Sequence, residues 1–176
     1  MRVLIVDDDL GSRLVAEAAV TALGHECRSA ADGEQGWARY VEWQPEVLVT
    51  DRTMPGMDGT QLCRAIREAE NGSYTYVILL SGRDERADVL SGMDAGADDY
   101  LAKPLDSFAL QVRLLAAGRV TRLHRDLQQA RAALLAQAHT DPLTGLRNRL
   151  GLDAHLEALH SSSRRYGRAY CLALCD

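Results

Sequence analysis

Val47-Leu48-Val49-Thr50-Asp51, with the loop Arg52-Thr53-Met54-Pro55-Gly56-Met57-Asp58-Gly59 behind it, decides how this chain is read. A short, β-branched apolar run closed by a carboxylate and a Pro/Gly loop is the pattern of a buried parallel strand. Asp51 then stands at the carboxyl end of that strand. In open α/β sheets this is the edge where ligands bind.

The flanking sequence repeats the pattern. Arg2 to Val6 is a first apolar run, ended by Asp7-Asp8-Asp9, and Gly11-Ser12 opens a helix whose Leu14, Val15, Ala18, Ala19, Ala22 and Leu23 share one face before Gly24. A short strand is expected over Glu26 to Ser29, then a helix from Asp32-Gly33 stopped by Pro45. After the Asp51 loop comes a helix carrying Leu62, Cys63 and Ile66, which ends at Asn71-Gly72. A fourth strand runs from Thr75 to Leu80 and is closed by Ser81-Gly82; a helix over Arg86 to Ala95 and a fifth strand near Tyr100-Leu101 lead to Lys103-Pro104. Strands alternating with helices at this spacing predict α/β architecture: a flavodoxin-like, doubly wound five-stranded parallel sheet in the order 2-1-3-4-5.

From Asp106 the pattern becomes one long helix to about Ala138, in which Val120, Leu123, Leu127, Ala130 and Leu134 recur in steps of three and four. That stripe fits the seam of a two-stranded coiled coil, and a lone amphipathic helix packed on its own domain is the competing reading. Asp141-Pro142-Leu143-Thr144-Gly145-Leu146-Arg147-Asn148-Arg149 then forms a turn into a helix through Leu152, Leu156 and Leu159. A loop at Ser161-Ser162-Ser163-Arg164-Arg165 and an apolar strand over Ala169 to Cys175 are expected next. A strand with no partner after it is expected to belong to an incomplete second domain. The expected organisation is a domain over 1–118, a helical linker over 119–139 and a domain fragment over 140–176.

The totals set limits. Net charge is −5 over 176 residues, which gives no basic footprint for nucleic acid. The amino terminus turns acidic too early for a signal peptide, and no apolar run is long enough to span a bilayer, so a cytoplasmic location without membrane contact is expected. Cys27, Cys63, Cys171 and Cys175 lack paired CxxC spacing and are read as reduced thiols.

Four strand ends converge in the expected sheet. Asp7 and Asp8 end the first strand, which neighbours the third, so three carboxylates share one crevice with Asp51. Like charges this close raise one another's pKa unless a cation intervenes, and an all-oxygen set suits Mg²⁺. Lys103 brings an ammonium from the fifth strand and Ser81 a hydroxyl from the fourth. Each is an ordinary surface residue if taken alone, and Asp9 is read either as a helix cap or as part of the acidic run. Jointly, a carboxylate nucleophile, a hard cation, a lysine and a hydroxyl can stabilise phosphoryl transfer.

These residues carry a resemblance. Val6-Asp7-Asp8, Asp51 with Met54-Pro55-Gly56-Met57-Asp58-Gly59, Leu80-Ser81-Gly82 and Gly96-Ala97-Asp98-Asp99-Tyr100-Leu101-Ala102-Lys103-Pro104 resemble the CheY-like receiver domain of two-component response regulators. The resemblance implies that Asp51 accepts a phosphoryl group from a sensor histidine kinase or phosphotransfer protein. It implies Mg²⁺ on Asp8, Asp51 and the backbone carbonyl of Thr53, with Asp7 acting mainly through a bound water. Ser81 and Lys103 would contact phosphoryl oxygens, Tyr100 would turn inward as Ser81 moves, and the bond before Pro104 would be cis. By analogy with related receivers, Asp99 and Arg113 would pair across a two-fold axis in a homodimer formed by the receiver face and helix 106–138.

The Asp141–Arg149 motif resembles the entry to diguanylate cyclase (GGDEF) domains, and Leu172-Ala173-Leu174-Cys175-Asp176 resembles that family's first strand, with Asp176 as its metal ligand. The GGDEF signature itself is absent, so this chain is not expected to be a cyclase. The intact protein would make a cyclic dinucleotide from two GTP. The alternative is a non-enzymatic phospho-switch that only binds a partner. A haloacid-dehalogenase-type hydrolase is disfavoured, because Thr53 occupies the position of that family's acid-base aspartate.

Overall fold

A computed structural model of the chain describes residues 1–70, 73–82, 92–167, 169–171 and 173. The elements are β1 (Arg2–Val6), α1 (Leu10–Ala22), β2 (Glu26–Ala30), α2 (Gly33–Trp43), β3 (Val47–Asp51), α3 (Gly59–Ala69), β4 (Tyr76–Ser81), β5 (Asp99–Ala102), α4 (Ser107–His139) and α5 (Arg149–Tyr166). Of the helix expected over Arg86 to Ala95, residues 92–94 are helical and residues 86–91 lie outside the described residues, as do Asn71 and Gly72.

The strands form one parallel sheet in the order β2-β1-β3-β4-β5. Ile5 pairs with Val49, Val49 with Ile78 and Ile78 with Asp99, so the central strands end in step at the carboxyl edge. The continuous apolar strands are explained by burial on both faces. Val3, Ile5, Val47, Val49, Ile78 and Leu80 pack under Ala16 and Val20 of α1 and Leu110, Leu114 and Ala117 of α4. The alternate residues Leu4, Val6, Leu48 and Val77 pack under Tyr40 and Trp43 of α2 and Leu62, Cys63 and Ile66 of α3. The period-two side-chain alternation of a strand therefore builds two separate cores. The α/β reading and the strand order are those read from the sequence.

Carboxylates start the helices that follow β1, β2 and β3. Asp9 accepts from Ser12 N at 2.7 Å, Asp32 from Gln35 N at 2.7 Å and Asp58 from Gln61 N at 2.8 Å. Asp58 and Gln61 close a reciprocal capping box that fixes where α3 begins. Asp9 is thus a cap, which settles the choice left open for it.

The chain divides into two compact units, Met1–Asp126 and Leu127–Asp176. In the second, Asp141 accepts from Thr144 N at 2.9 Å, Gly145 turns with φ +70°, and Thr140 bridges Arg147. Asn148 caps α5 through Gly151 N at 2.9 Å, and its Nδ2 donates back to Ala138 O at 2.8 Å, so one side chain satisfies the ends of two helices. The loop expected at Ser161–Arg165 is instead the last part of α5, which runs to Tyr166 and stops at Gly167 with φ +66°. Serines are tolerated in a helix when the glycine stop lies beyond them, and Arg164 and Arg165 complement the negative helix end. Ala169 to Cys171 and Ala173 are not strand. The strand expected over Ala169 to Cys175 is therefore absent at every described position of that stretch, while Leu172, Leu174, Cys175 and Asp176, with the ligand role expected of Asp176, lie outside the described residues.

Candidate functional site

Parallel register brings the predicted strand ends together. Asp7 and Asp8 follow β1, Asp51 ends β3, Ser81 ends β4 and Lys103 follows β5. One carboxylate oxygen from each of Asp7, Asp8 and Asp51 falls within 4.8 Å of the others. Asp7 is buried, Asp51 half-buried and Asp8 exposed, so the cluster opens from the sheet edge toward solvent.

Lys103 closes the inner side. Its Nζ donates to Asp51 Oδ2 at 2.7 Å and stands 2.9 Å from Asp7 Oδ2. Burial disfavours the ammonium, but the hydrogen bond to Asp51 and the charges of Asp51 and Asp7 outweigh it and hold Lys103 above its ordinary pKa. The contact with Asp7 is a charge contact rather than a directed hydrogen bond, and Asp7 Oδ2 has no hydrogen-bond donor although Asp7 is only 1% exposed. The other oxygen, Oδ1, accepts from Asp9 N at 2.9 Å. A buried carboxylate oxygen without a donor, facing two further carboxylates, is a donor set that fits a hard divalent cation.

The loop after β3 wraps Asp51. Thr53 N lies 3.4 Å from Asp51 Oδ1, and Gly59 N donates to Arg52 O at 2.9 Å. A Cβ on Gly59 would lie 2.1 Å from Asp51 O, so only glycine lets α3 start against the backbone of Asp51. Ser81 is buried, and its Oγ donates to Gly82 O at 3.1 Å. Lys103 N donates to Ser81 O at 2.7 Å, which ties the hydroxyl and the ammonium to one backbone junction. Tyr100 is half-buried on β5 opposite Leu79, and the Lys103-Pro104 bond is cis. Asp99 and Arg113, expected to meet across a two-fold axis, pair within the chain at 3.2 Å.

Sequence reasoning missed two supports of this site. Arg13 Nη1 donates to Asp7 O at 2.6 Å and pins the acidic turn from inside α1. In the sequence Gly59 stands only as the last residue of the loop motif. Its position directly after a capping aspartate was the available signal.

A parallel α/β sheet in this order, with acids and one lysine gathered at its carboxyl edge, defines a receiver-type domain. The sequence profile of the response regulator receiver domain matches residues 3–115, and the chain belongs to that family. The transcriptional regulatory protein AfsQ1 of Streptomyces coelicolor is 37% identical over 116 residues, covering 66% of this chain and 50% of AfsQ1. This chain therefore spans about half the length of that relative. The receiver domain of the sensor histidine kinase PA1611 from Pseudomonas aeruginosa PAO1, solved with a magnesium ion coordinated in its active-site cleft, superposes with TM-score 0.61 at 31% identity, covering 66% of this chain and 97% of that one. A structure described as a two-component system response regulator/GGDEF domain protein superposes with TM-score 0.65 at 25% identity, covering 69% of this chain and 50% of that one. Among the described residues no helix is long and apolar enough to cross a membrane.

Proposed function

We propose that Asp51 is the phosphoryl acceptor of this receiver and that a sensor histidine kinase or phosphotransfer protein is the donor. The observation that carries the reading is the placement of Lys103 Nζ, 2.7 Å from Asp51 Oδ2 and 2.9 Å from Asp7 Oδ2. An Asp51 carboxylate oxygen attacks the phosphorus, the P–N bond of the donor phosphohistidine breaks, and its electron pair leaves with the imidazole. Lys103 then turns from a carboxylate partner into a partner of the phosphoryl oxygens, with the Ser81 hydroxyl on another. Asp8, Asp51 and the Thr53 carbonyl would hold Mg²⁺, with Asp7 reached through water. When bound, that ion neutralises charge on the transferring group. A phosphoryl group adds roughly −1.5 to −2 charge beside Ser81, enough to reorder the strand ends on which Ser81 and Tyr100 stand.

The output reading extends from this. Residues 1–118 are the receiver, 119–139 a linker that pairs with a second copy, and 140–176 the entry to a diguanylate cyclase domain. The stripe on α4 supports pairing, because Leu123, Leu127 and Leu134 are each more than 60% exposed. Val120 instead packs on the receiver's own core. The solved response regulator/GGDEF protein supports the second domain, as does the folded Asp141–Asn148 turn. The cyclase would use two GTP across the dimer.

Beryllofluoride binding followed by ¹⁹F NMR tests the acceptor. The wild-type protein gives a bound signal that requires Mg²⁺, and Asp51→Asn gives none. Sedimentation of the same samples tests dimerisation, and an unchanged mass on beryllofluoride binding contradicts a phosphate-triggered dimer.

A further inference from the structure

At the edge of the sheet opposite Asp51, helix α4 is held by two of its residues, His124 and Arg125, that lie beyond the receiver family's matched span of residues 3–115. The His124 ring stacks on Tyr74, just before β4, with centroids 4.0 Å apart and planes 7° from parallel. Arg125 Nη2 meets Glu46 Oε1, just before β3, at 2.5 Å, and Glu46 Oε2 accepts from Arg2 N at 2.9 Å.

Tyr74 is itself fixed. Its hydroxyl donates to Asp98 Oδ1, and the Arg67 guanidinium lies 4.9 Å from its ring centroid. Asp98 also accepts from Arg67 Nη2 at 2.7 Å and from Val77 N at 2.7 Å. It immediately precedes β5, the strand that leads to Lys103.

We propose that Tyr74–His124 and Glu46–Arg125 form a latch that fixes where α4 leaves the receiver, with Asp98 and β5 joining the latch to the site at Lys103. The latch residues His124 and Arg125 are near the end of the first compact unit, which reaches Asp126, past the matched family span. One aromatic stack and one partly exposed ion pair hold weakly beside two buried cores, so the latch opens without unfolding the domain. Opening frees the helix from about residue 122, because Thr121 is the last buried residue of α4. The latch does not depend on phosphorylation of Asp51. Its link to Lys103 rests on that reading.

Hydrogen exchange of the whole chain, followed by mass spectrometry over residues 119–128, tests it. Tyr74→Leu and His124→Ala each speed exchange there roughly two- to tenfold, and residues 109–117 keep their protection. Alanine is the better helix former, so faster exchange in His124→Ala reports the lost stack rather than lost propensity. Tyr74→Phe keeps the ring and its stack, so its exchange over 119–128 without beryllofluoride stays near wild type, while losing the hydroxyl bond to Asp98 weakens the response of that segment to beryllofluoride. Unchanged exchange over 119–128 in His124→Ala overturns the latch, whether or not Tyr74→Leu folds. Beryllofluoride with Mg²⁺ alters exchange over 119–128 in wild type and not in His124→Ala. If ¹⁹F NMR shows beryllofluoride bound while that segment is unchanged, the link to Lys103 is wrong. If nothing binds, the acceptor reading fails and the latch is judged by the variants alone.

Discussion

Lys103 and Asp7 form an ion pair at 2.9 Å in which the aspartate is buried and its oxygen lacks a directed donor. The lysine thus balances charge at the acidic edge without saturating it. That leaves Asp7 able to serve a cation and leaves Lys103 able to follow Asp51 when its charge changes.

Replacing the lysine tests the balance. Lys103→Met leaves three carboxylates facing one another, so in Mg²⁺-free buffer its urea midpoint at pH 8 falls below wild type. The folded pKa of Lys103 is raised above its unfolded value of 10.5. Its stabilisation is therefore fully present below pH 10.5 and disappears as pH rises through the folded value. The gap between wild type and Lys103→Met should close in melts above that range, and a constant gap would show that the ammonium charge is not the cause.

A cation bound only by the native acidic edge must stabilise the fold. At a hundred times its Kd, Mg²⁺ adds about 2.7 kcal/mol. Asp8→Asn loses most of this gain and Asp9→Asn keeps it, because Asp9 is committed to capping α1. Thermal melts across a Mg²⁺ titration separate the two.

Helix α3 holds the loop after Asp51 through its first residues. Gly59→Ala places a methyl 2.1 Å from Asp51 O and should cost about 1–3 kcal/mol. Asp58→Ala removes the capping box at a cost of about 1 kcal/mol. Burial raises the Asp58 pKa, but hydrogen bonds from Thr60 and Gln61 outweigh it and hold the group below its model-peptide value of 3.8. Its stabilisation is present above pH 3.8 and lost as pH falls through the folded value, so the difference between wild type and Asp58→Ala shrinks in acid melts.

Burial pushes the thiols of Cys27 and Cys63 up to about 11, while Cys171 is exposed. With Cys171 and Cys175 changed to serine, the folded protein should react slowly with a disulfide reagent at pH 8, and guanidinium should release both remaining thiols. Cys27 is half-buried on the edge strand, so Cys63 is the reporter, and its fast reaction without denaturant would mean that the core between the sheet and α3 is not closed.

The sequence made the sheet and its site legible because both rest on local patterns. Apolar runs ending in Asp7, Asp51, Ser81 and Lys103 mark strand ends, and parallel order then forces those ends together. Arg13 on Asp7 O and Gly59 against Asp51 O were not legible, since each depends on how a helix approaches a strand. The end of α5 was misread because Ser161–Ser163 weigh locally against helix, whereas the chain stops at Gly167. The His124–Tyr74 stack joins residues far apart in sequence through tertiary packing that no periodicity records.

Intact mass after incubation with acetyl phosphate and Mg²⁺ tests the central claim most directly. Wild type should gain the mass of one phosphoryl group, and Asp51→Asn should gain none. An Asp51→Asn protein that is phosphorylated as fully as wild type would contradict the account.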